Sequence, residues 1–456
     1  MAQISIIKKS NLGDNSRFDA DYYKPDYLKF DILLSNINTD LLVNLSEKIT
    51  DFGAYSQNSF VHYLDSGNYY FIRNKDVNDF FLADSNRIFI SEQAYNKLTL
   101  KMEEFDLLLQ RTGTIGQSAI VLKKDLPSSA NQNLAKVKID RGKINPFCVL
   151  AFLNSKYGKM NFERLATGNV QPWLNLSQIE RIRIPLFSAH FQELMQELIL
   201  NSFKMGDTSK KLILEAENLL LKEINLFNQE IKHALSFEAK KCEVEEGKRI
   251  DSEYHQPKYK EILDKIESYS EGFDIVKNLF KQNKSLSKKN KEFYNYVEIS
   301  DINVSTGEII PTKRLMDEIP ANGKIKLKKN DLLISKVRPY RGAVSFIDFE
   351  DENLLGSGAF TVLSEKTNYK KEVLMVFLRT KHIKELLLRY NCGTSYPVIK
   401  DEDILNLRIP LIKEEIQNKI AEKVLESFKL QKESKNILDE AKRMIEEEIE
   451  KEARIK

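Results

Sequence analysis

Two pairs of carboxylates are the residues in this sequence whose spacing could support catalysis. Asp19 and Asp21 lie near the N-terminus, and Asp251 and Glu253 repeat their spacing in the second half. Two neighbouring carboxylates could hold a divalent metal for phosphodiester cleavage. Both pairs, however, lie beside tyrosine and proline in a repeated segment, with no lysine at a familiar catalytic spacing. A structural or partner-docking role is therefore favoured over metal catalysis.

Other catalytic or metal-binding motifs are not found. The sequence contains no phosphate-binding Gly-x-x-x-x-Gly-Lys loop, no Asn-Pro-Pro-Tyr or Asp-Pro-Pro-Tyr element, and no HExxH helix. The histidines are scattered, at His62, His190, His233, His255 and His382. The cysteines form no CxxC pair, which is typical of a reducing cytoplasm, and are Cys148, Cys242 and Cys392. The sequence therefore predicts a non-catalytic cytoplasmic chain that binds no metal, and no apolar run long enough to span a membrane is found.

Basic residues are plentiful but almost balanced by acidic ones, 70 against 67, for a formal net charge of +3. Any basic surface must therefore be local. The densest basic stretch is 281–291, with five lysines, no acidic residue, and Asn, Gln and Ser between them. Lysines can neutralise phosphates, and amides can pair with adenine. A mobile solvated loop is the alternative. The DNA-binding candidates in this stretch are Lys281, Lys284, Lys288, Lys289 and Lys291.

The matching part of the first half, 52–60, is aromatic, polar and nearly uncharged. If it is equivalent, the two loops would contact different bases; the alternative is a glycine turn that packs two aromatic rings. Its candidates are Tyr55, Gln57 and Asn58.

The turns that follow two buried strands form a third group of candidates for DNA binding. The alternative is that their basic residues are strand ends that face water. Their candidates are Arg111, Thr112, Lys336, Arg338, Tyr340 and Arg341. The segments 168–173 and 393–397 form a further pair of turns. A conformational role for their glycine and proline is favoured, and the alternative is that Gln171, Trp173, Ser395 and Tyr396 face DNA.

These turns lie in a sequence that is duplicated. The run Asp106-Leu-Leu-Leu-Gln-Arg returns as Asp331-Leu-Leu-Ile-Ser-Lys, an offset of 225 residues (331 − 106). Arg183-Ile-Pro-Leu returns at the same offset as Arg408-Ile-Pro-Leu. A register held over so many residues indicates a fused dimer of two related halves. Such a chain suits a ligand with two half-sites, of which DNA is the commonest.

Each half is expected to begin with a helix after a proline, Pro25 or Pro257, and to end in a long amphipathic helix with a heptad-like seam. The sequence predicts an α+β fold: two globular mixed α/β domains related by pseudo-two-fold symmetry and separated by two long antiparallel coiled-coil helices. The first helix is expected to bend or break at Met205-Gly-Asp207. The predicted boundaries are 1–187 and 243–411 for the domains, and 188–242 and 412–456 for the helices.

The segment Asp331–Pro339 resembles the specificity subunits of type I restriction-modification systems. The block Gly393-Thr-Ser-Tyr-Pro397 with Leu407-Arg-Ile-Pro-Leu411 does so as well, and the order of domain, helix, domain, helix is similar to that family over essentially the whole chain. The resemblance implies two target-recognition domains that each read one half of a bipartite DNA site with an unread gap, and a subunit that is not itself catalytic.

The resemblance also implies partners. These are double-stranded DNA, two modification subunits that carry S-adenosylmethionine and methylate adenine at N6, and restriction subunits that translocate DNA. No cofactor is expected on this chain itself. Two alternatives remain open at this point: a specificity partner of a bifunctional cleaving and modifying subunit, and a coiled-coil scaffold that joins two protein-binding domains.

Overall fold

The structure is a computed structural model that describes residues 4–7, 19–52, 59–84, 86–168, 172–287, 291–323, 325–392 and 396–455. Five of the candidate residues, Tyr55, Gln57, Asn58, Lys288 and Lys289, lie outside the described residues. The chain forms two compact units. The first unit comprises residues 1–204 and 433–456, and the second unit comprises residues 205–432. Both long helices contribute one part to each unit.

The first unit is a mixed α/β fold. Its strands are β1 (Thr39–Leu41), β2 (Ser46–Asp51), β3 (Tyr69–Ile72), β4 (Phe80–Phe81), β5 (Phe89–Ile90), β6 (Leu107–Gln110), β7 (Ser118–Ile120), β8 (Ser128–Ala130), β9 (Leu134–Ile139) and β10 (Arg183–Pro185). Its helices are α1 (Pro25–Ser35), α2 (Glu92–Lys97), α3 (Pro146–Asn154), α4 (Lys156–Leu165), α5 (Leu176–Glu180), the first part of α6 (Ala189–Glu223) and the last part of the C-terminal helix α13 (Glu414–Ile455). The sheet orders are β2-β9-β6-β7-β4, β5-β3-β8 and β1-β10.

The second unit repeats this plan. Its strands are β11 (Phe273–Ile275), β12 (Phe280–Gln282), β13 (Phe293–Val297), β14 (Thr312–Leu315), β15 (Ile325–Lys326), β16 (Leu332–Ser335), β17 (Val344–Phe346), β18 (Leu354–Gly356), β19 (Phe360–Glu365) and β20 (Arg408–Pro410). Its helices are the last part of α6, α7 (Lys241–Gly247), α8 (Pro257–Glu267), α9 (Val276–Leu279), α10 (Lys371–Arg379), α11 (Lys381–Leu388), α12 (Asp401–Leu405) and the first part of α13 (Glu414–Ile455). The sheet orders are β12-β19-β16-β17, β14-β13-β18-β15 and β11-β20.

The duplicated sequence forms duplicated structure. Strands β6 and β16 begin 225 residues apart, are buried along their whole length, and lie inside their sheets, as their short apolar runs predict. Strands β10 and β20 keep the same offset, and each pairs antiparallel with the first strand of its half. Helices α1 and α8 both begin at a proline, which confirms that prediction, because the missing N–H of proline has no partner in the first helical turn.

The long helix α6 is continuous through Gly206, so the predicted break there is wrong. An isolated glycine costs a helix only about 1 kcal/mol relative to alanine, which packing on both sides outweighs. The helix ends at Glu223, well before residue 242. Asn225 takes a left-handed conformation with φ of 56°, and the N–H groups of Asn225 and Leu226 donate to the carbonyls of Lys222 and Leu221. This is a Schellman motif, and it stops the helix.

Inside each unit, α6 and α13 pack along a heptad-like seam. In the second unit Ser209 contacts Ser427, while the later Glu215 pairs with the earlier Lys423, so the helices are antiparallel there. The seam residues of the first unit are Met195, Ile199, Ser202, Ala441, Ile445 and Ile449. Those of the second unit are their equivalents at an offset of 225: Ile420, Val424, Ser427, Ala216, Leu220 and Ile224.

Candidate nucleic-acid interface

The turn after β6 in the first unit is held against the segment that ends at Trp173. Thr112 and Thr167 both form bridges with Trp173, and the Leu174 N–H donates to the Arg111 carbonyl over 2.9 Å. The indole of Trp173 is 44% exposed, an unusual amount for a tryptophan. The backbone pairing fixes the turn and presents Trp173 to solvent.

The second unit builds the same turn from different side chains. Val337 forms the bridge with Val398, the Ile399 N–H donates to the Lys336 carbonyl over 3.0 Å, and the Cys392 N–H donates to the Val398 carbonyl. Each of these residues is the counterpart, at an offset of 225, of a residue in the first turn. The backbone frame is common to both halves, whereas the exposed Trp173 is replaced by Val398. The frame can therefore present different side chains in each half.

The guanidinium of Arg111 is mostly engaged in contacts within the first unit. Its side chain is 14% exposed, and its Nη1 lies 2.7 Å from Oδ2 of Asp51 at the end of β2. Its Nε donates to the Leu174 carbonyl over 3.0 Å. The guanidinium thus joins β2 to the turn, and only a small part of it remains open to a ligand. Thr112 is half-buried, and its carbonyl accepts a hydrogen bond from Asn74.

Lys336, the equivalent residue of the second unit, also forms an ion pair within the chain. Its Nζ lies 3.1 Å from Oδ1 of Asp401, the first residue of α12, and the Thr361 hydroxyl donates to the same oxygen. Burial alone would raise the pKa of Asp401. The hydrogen bonds from Thr361, Lys336 and Gln282 together lower it by more than burial raises it, so the pKa lies below its ordinary value. Because Gln282 ends β12, this cluster links the turn to the lysine-rich stretch.

The rest of the second turn is more open. Arg338 adopts a left-handed conformation, and its guanidinium lies 4.7 Å from the ring centre of Tyr396, which is 60% exposed. Tyr340 and Arg341 follow in a short 3₁₀ helix, and both are exposed. A cation stacked on an exposed ring, beside a second exposed cation and a phenol, can contact phosphates and base edges.

The lysine-rich stretch begins on an edge strand. Lys281 lies on β12 opposite Ser364, and both Lys281 and Lys284 are exposed. Asn283 does not face outward to a ligand: its Nδ2 donates to Asp331 over 2.8 Å and to the Lys326 carbonyl over 3.0 Å. The amide therefore anchors the stretch, and the lysines on either side of it remain at the surface.

Lys291 marks the end of the same stretch, just before β13. It is exposed, its backbone N–H donates to the Tyr294 hydroxyl over 3.1 Å, and its Nζ donates to Asn353. The described part of the stretch is thus fixed at both ends. Lys281, Lys284 and Lys291 give the second unit three exposed cations in one short segment.

The sequence reasoning missed an aromatic cluster in the first unit. Tyr69 and Tyr95 stack with ring centres 4.6 Å apart, and the Nζ of Lys101 lies 4.7 Å from the Tyr95 ring centre. Lys97 lies over the ring of Phe60 in the same way, at 5.8 Å. The available signal was weak: between residues 95 and 101 one tyrosine, Tyr95, is followed by two lysines, Lys97 and Lys101. This arrangement resembles the platforms on which nucleic acids stack.

The repeated carboxylates take structural roles. Asp19 and Asp251 each accept a hydrogen bond from the backbone N–H three residues later, over 3.1 Å, and Glu253 accepts from Lys258 over 3.2 Å. Among the described residues, no group of three or more His, Cys, Asp or Glu side chains is arranged to hold a metal ion. Nor does any helix in the described ranges have the length and apolar character needed to cross a membrane.

The family model described as "Type I restriction modification DNA specificity domain" matches residues 47–218 and, a second time, residues 270–443. The chain belongs to this family. The two copies of the family domain coincide with the two halves of the duplication, and each contains one of the two equivalent turns.

The individual relatives share little sequence identity with this chain. The type I restriction enzyme HindI specificity subunit of Haemophilus influenzae is 27% identical over 127 residues, which are 26% of this chain and 28% of that subunit. The aligned part thus spans less than a third of that relative. Among solved structures, the type I S subunit from M. genitalium has 13% identity and a TM-score of 0.42, with 91% of this chain and 96% of that chain covered. The HsdS subunit from Thermoanaerobacter tengcongensis has 12% identity and a TM-score of 0.30, with 91% and 96% covered.

Proposed function

We propose that this chain is the specificity subunit of a type I restriction-modification complex and reads a bipartite DNA site with an unread gap. The observation that carries the proposal is the pair of equivalent turns, one in each copy of the specificity domain. They share a backbone frame but present different side chains. Two copies of one frame suit two half-sites, and different side chains suit half-sites of different sequence.

In the second unit, phosphate contacts would come from the exposed cations Lys281, Lys284, Lys291 and Arg341. Arg338, Tyr340 and Tyr396 would lie nearest to the bases. In the first unit, Trp173 and the aromatic cluster of Tyr95 and Lys101 would serve instead. Arg111, Thr112 and Lys336 would position the turns, because their polar groups are used within the chain. Such contacts need no bound metal or cofactor on this chain.

The remaining chemistry would belong to partners. Two modification subunits would supply S-adenosylmethionine and methylate adenine at N6, and restriction subunits would add translocation and cleavage. The exposed faces of α6 and α13 would carry part of the docking surface for the modification subunits. Because the substrate is cellular or incoming DNA, the complex would act in the cytoplasm.

The test is a map of methylated adenines. The chain is assembled with its modification subunit and allowed to methylate a duplex library, and the methylated sites are sequenced. Arg338→Gln should relax base preference in one half-site and leave the other unchanged. Trp173→Val, which copies the residue found at the equivalent position of the second unit, should relax the other half-site alone. Methylation that ignores both half-sites would reject the proposal, and a complex that shows no salt-sensitive DNA binding would favour the protein-binding scaffold.

A further inference from the structure

A small polar cavity lies within the second unit. Its volume is about 130 Å³, and it is bounded by α6, α10, α11 and the turn that follows β16. Three cationic side chains line it, Arg341, Arg379 and Lys384, and Glu217 is the carboxylate among its lining residues. A space of this size can hold several waters or one small ion.

Arg379 has hydrogen-bonding capacity that the protein does not use. Its Nη2 donates to the Val304 carbonyl over 2.7 Å, while its Nη1 is buried and has no hydrogen-bond partner. Burial lowers the pKa of Arg379 to about 10, and the negative charge of Glu217 only partly offsets this. Buried charges in proteins are ordinarily paired, and among the described residues no carboxylate forms an ion pair with Arg379, so its positive charge favours an anion in the cavity beside it.

Lys384 is one of the three cationic residues that line the cavity. Gly342, at φ of 73°, lies so close to it that a Cβ there would be 3.0 Å from the Lys384 Cδ, so a glycine is what lets the turn approach the lysine stem. Burial raises the pKa of Glu217, and the positive charges of Lys384 and Arg379 and the backbone N–H of Lys381 only partly offset this. In this described part of the chain, its carboxylate forms no ion pair with Arg379 or Lys384. The three cations therefore outnumber the one carboxylate.

The charged cluster belongs to one half of the duplication only. At an offset of 225, Asn154 replaces Arg379 and Lys442 replaces Glu217. Lys159, the counterpart of Lys384, is paired with Asp79 over 2.7 Å in the first unit. Since the first unit has the same fold without this cluster, the fold itself does not require it.

We propose that the cavity binds a tetrahedral oxyanion of the phosphate class. Its oxygens would accept from the Lys384 ammonium group and from Arg341 at the mouth of the cavity, with the positive charge of the buried Arg379 guanidinium behind them. Guanidinium and ammonium groups are donors only, so the site selects an anion and excludes a metal cation. The phosphate could be a free ion or a backbone phosphate of DNA. The inference goes beyond the recognition function, and phosphate binding can be measured without DNA or partner subunits.

The experiment measures the thermal stability and binding heat of the full chain with inorganic phosphate, against chloride at equal ionic strength. Phosphate should stabilise the wild-type chain more than chloride does. Arg341→Gln, at an exposed position, and Lys384→Gln should weaken binding roughly tenfold or more, the usual effect of losing one charged hydrogen bond. Glu217→Gln should tighten it, which general damage to the fold would not do. Lys159→Gln, at the equivalent position of the first unit, is the matched control and should change nothing.

Two results would support the site and identify the source of the phosphate. Stabilisation of the wild-type chain by inorganic phosphate indicates a free ion. No stabilisation, together with an equal loss of duplex affinity in Arg341→Gln and Lys384→Gln and none in Lys159→Gln, indicates a DNA phosphate. The proposal is overturned if phosphate acts no differently from chloride and Lys384→Gln leaves duplex affinity unchanged, or if phosphate binding survives both substitutions.

Discussion

Arg111 and Lys336 occupy equivalent positions, and each neutralises a carboxylate that comes from a different element. Arg111 pairs with Asp51 at the end of β2, whereas Lys336 pairs with Asp401 at the start of α12. A basic residue at the end of this strand is therefore part of how the turn is held. Under the proposed function, the bases would be contacted by side chains beyond this residue, such as Arg338 and Trp173.

Replacing Arg111 should affect stability more than DNA binding. In Arg111→Gln, the ion pair with Asp51 and the hydrogen bond to the Leu174 carbonyl are lost. We expect the free energy of unfolding to fall by about 1–3 kcal/mol, detected by calorimetry of the full chain. The salt dependence of DNA binding should not change. The control is Lys284→Gln, an exposed position, which should alter stability by less than about 0.5 kcal/mol and lower the salt slope by about one. The opposite pattern would show that Arg111 contacts DNA.

Asp401 should make the stability of the second unit depend on pH. Because its folded-state pKa lies below its ordinary value, the carboxylate stabilises the fold above the unfolded value of about 3.9. That contribution is lost as the pH falls through the lower folded-state pKa. Asp401→Asn should therefore lower the melting temperature at pH 7, and the difference from wild type should close below about pH 4. Thermal melts from neutral to acidic pH check this, with the exposed Asp317→Asn as control. A constant difference at all pH values would mean that the charge of Asp401 contributes nothing.

At the scale of elements, the sequence predicts what local chemistry determines. Apolar runs located β6 and β16, and prolines located the starts of α1 and α8. The end of α6 could not be found in this way, because the heptad-like pattern says nothing about the conformation of Asn225. The break expected at Gly206 was wrong because the buried seam on either side, with Ser202 and Ser209, outweighs one residue's poor helix propensity.

The Schellman motif predicts a specific response at Asn225, whose side chain is exposed. Asn225→Val should destabilise the second unit by about 1–2 kcal/mol, since a residue with a β-branched side chain is strained at positive φ. Asn225→Gly should be neutral or slightly stabilising, because glycine adopts this conformation freely. Calorimetry of the two variants is the measurement, and glycine is the matched control. Equal effects would show that the left-handed conformation does not end the helix.

At the scale of the whole molecule, duplication is the property that the sequence shows best, and divergence between the copies is the property that it shows least. The 225-residue register predicted equivalent strands, turns and seam residues. Whether a given lysine or arginine is free depends on partners such as Asp51, Asp401 and Asp79, which lie far away in sequence. The candidate interface was therefore predictable as a set of segments, but the roles of individual residues within those segments were not.

Net charge gives the last prediction. With 70 basic and 67 acidic residues, long-range attraction to DNA is weak, so a few local cations should set the salt dependence. Replacing Lys281, Lys284 and Lys291 with glutamine should reduce the slope of log affinity against log salt by about 2–3, at roughly 0.9 per phosphate contact. The control removes the same charge from three exposed lysines of α13, Lys429, Lys432 and Lys435. If both triple variants reduce the slope equally in binding titrations of the assembled complex, the overall charge governs DNA binding and the lysine-rich stretch is not its contact surface.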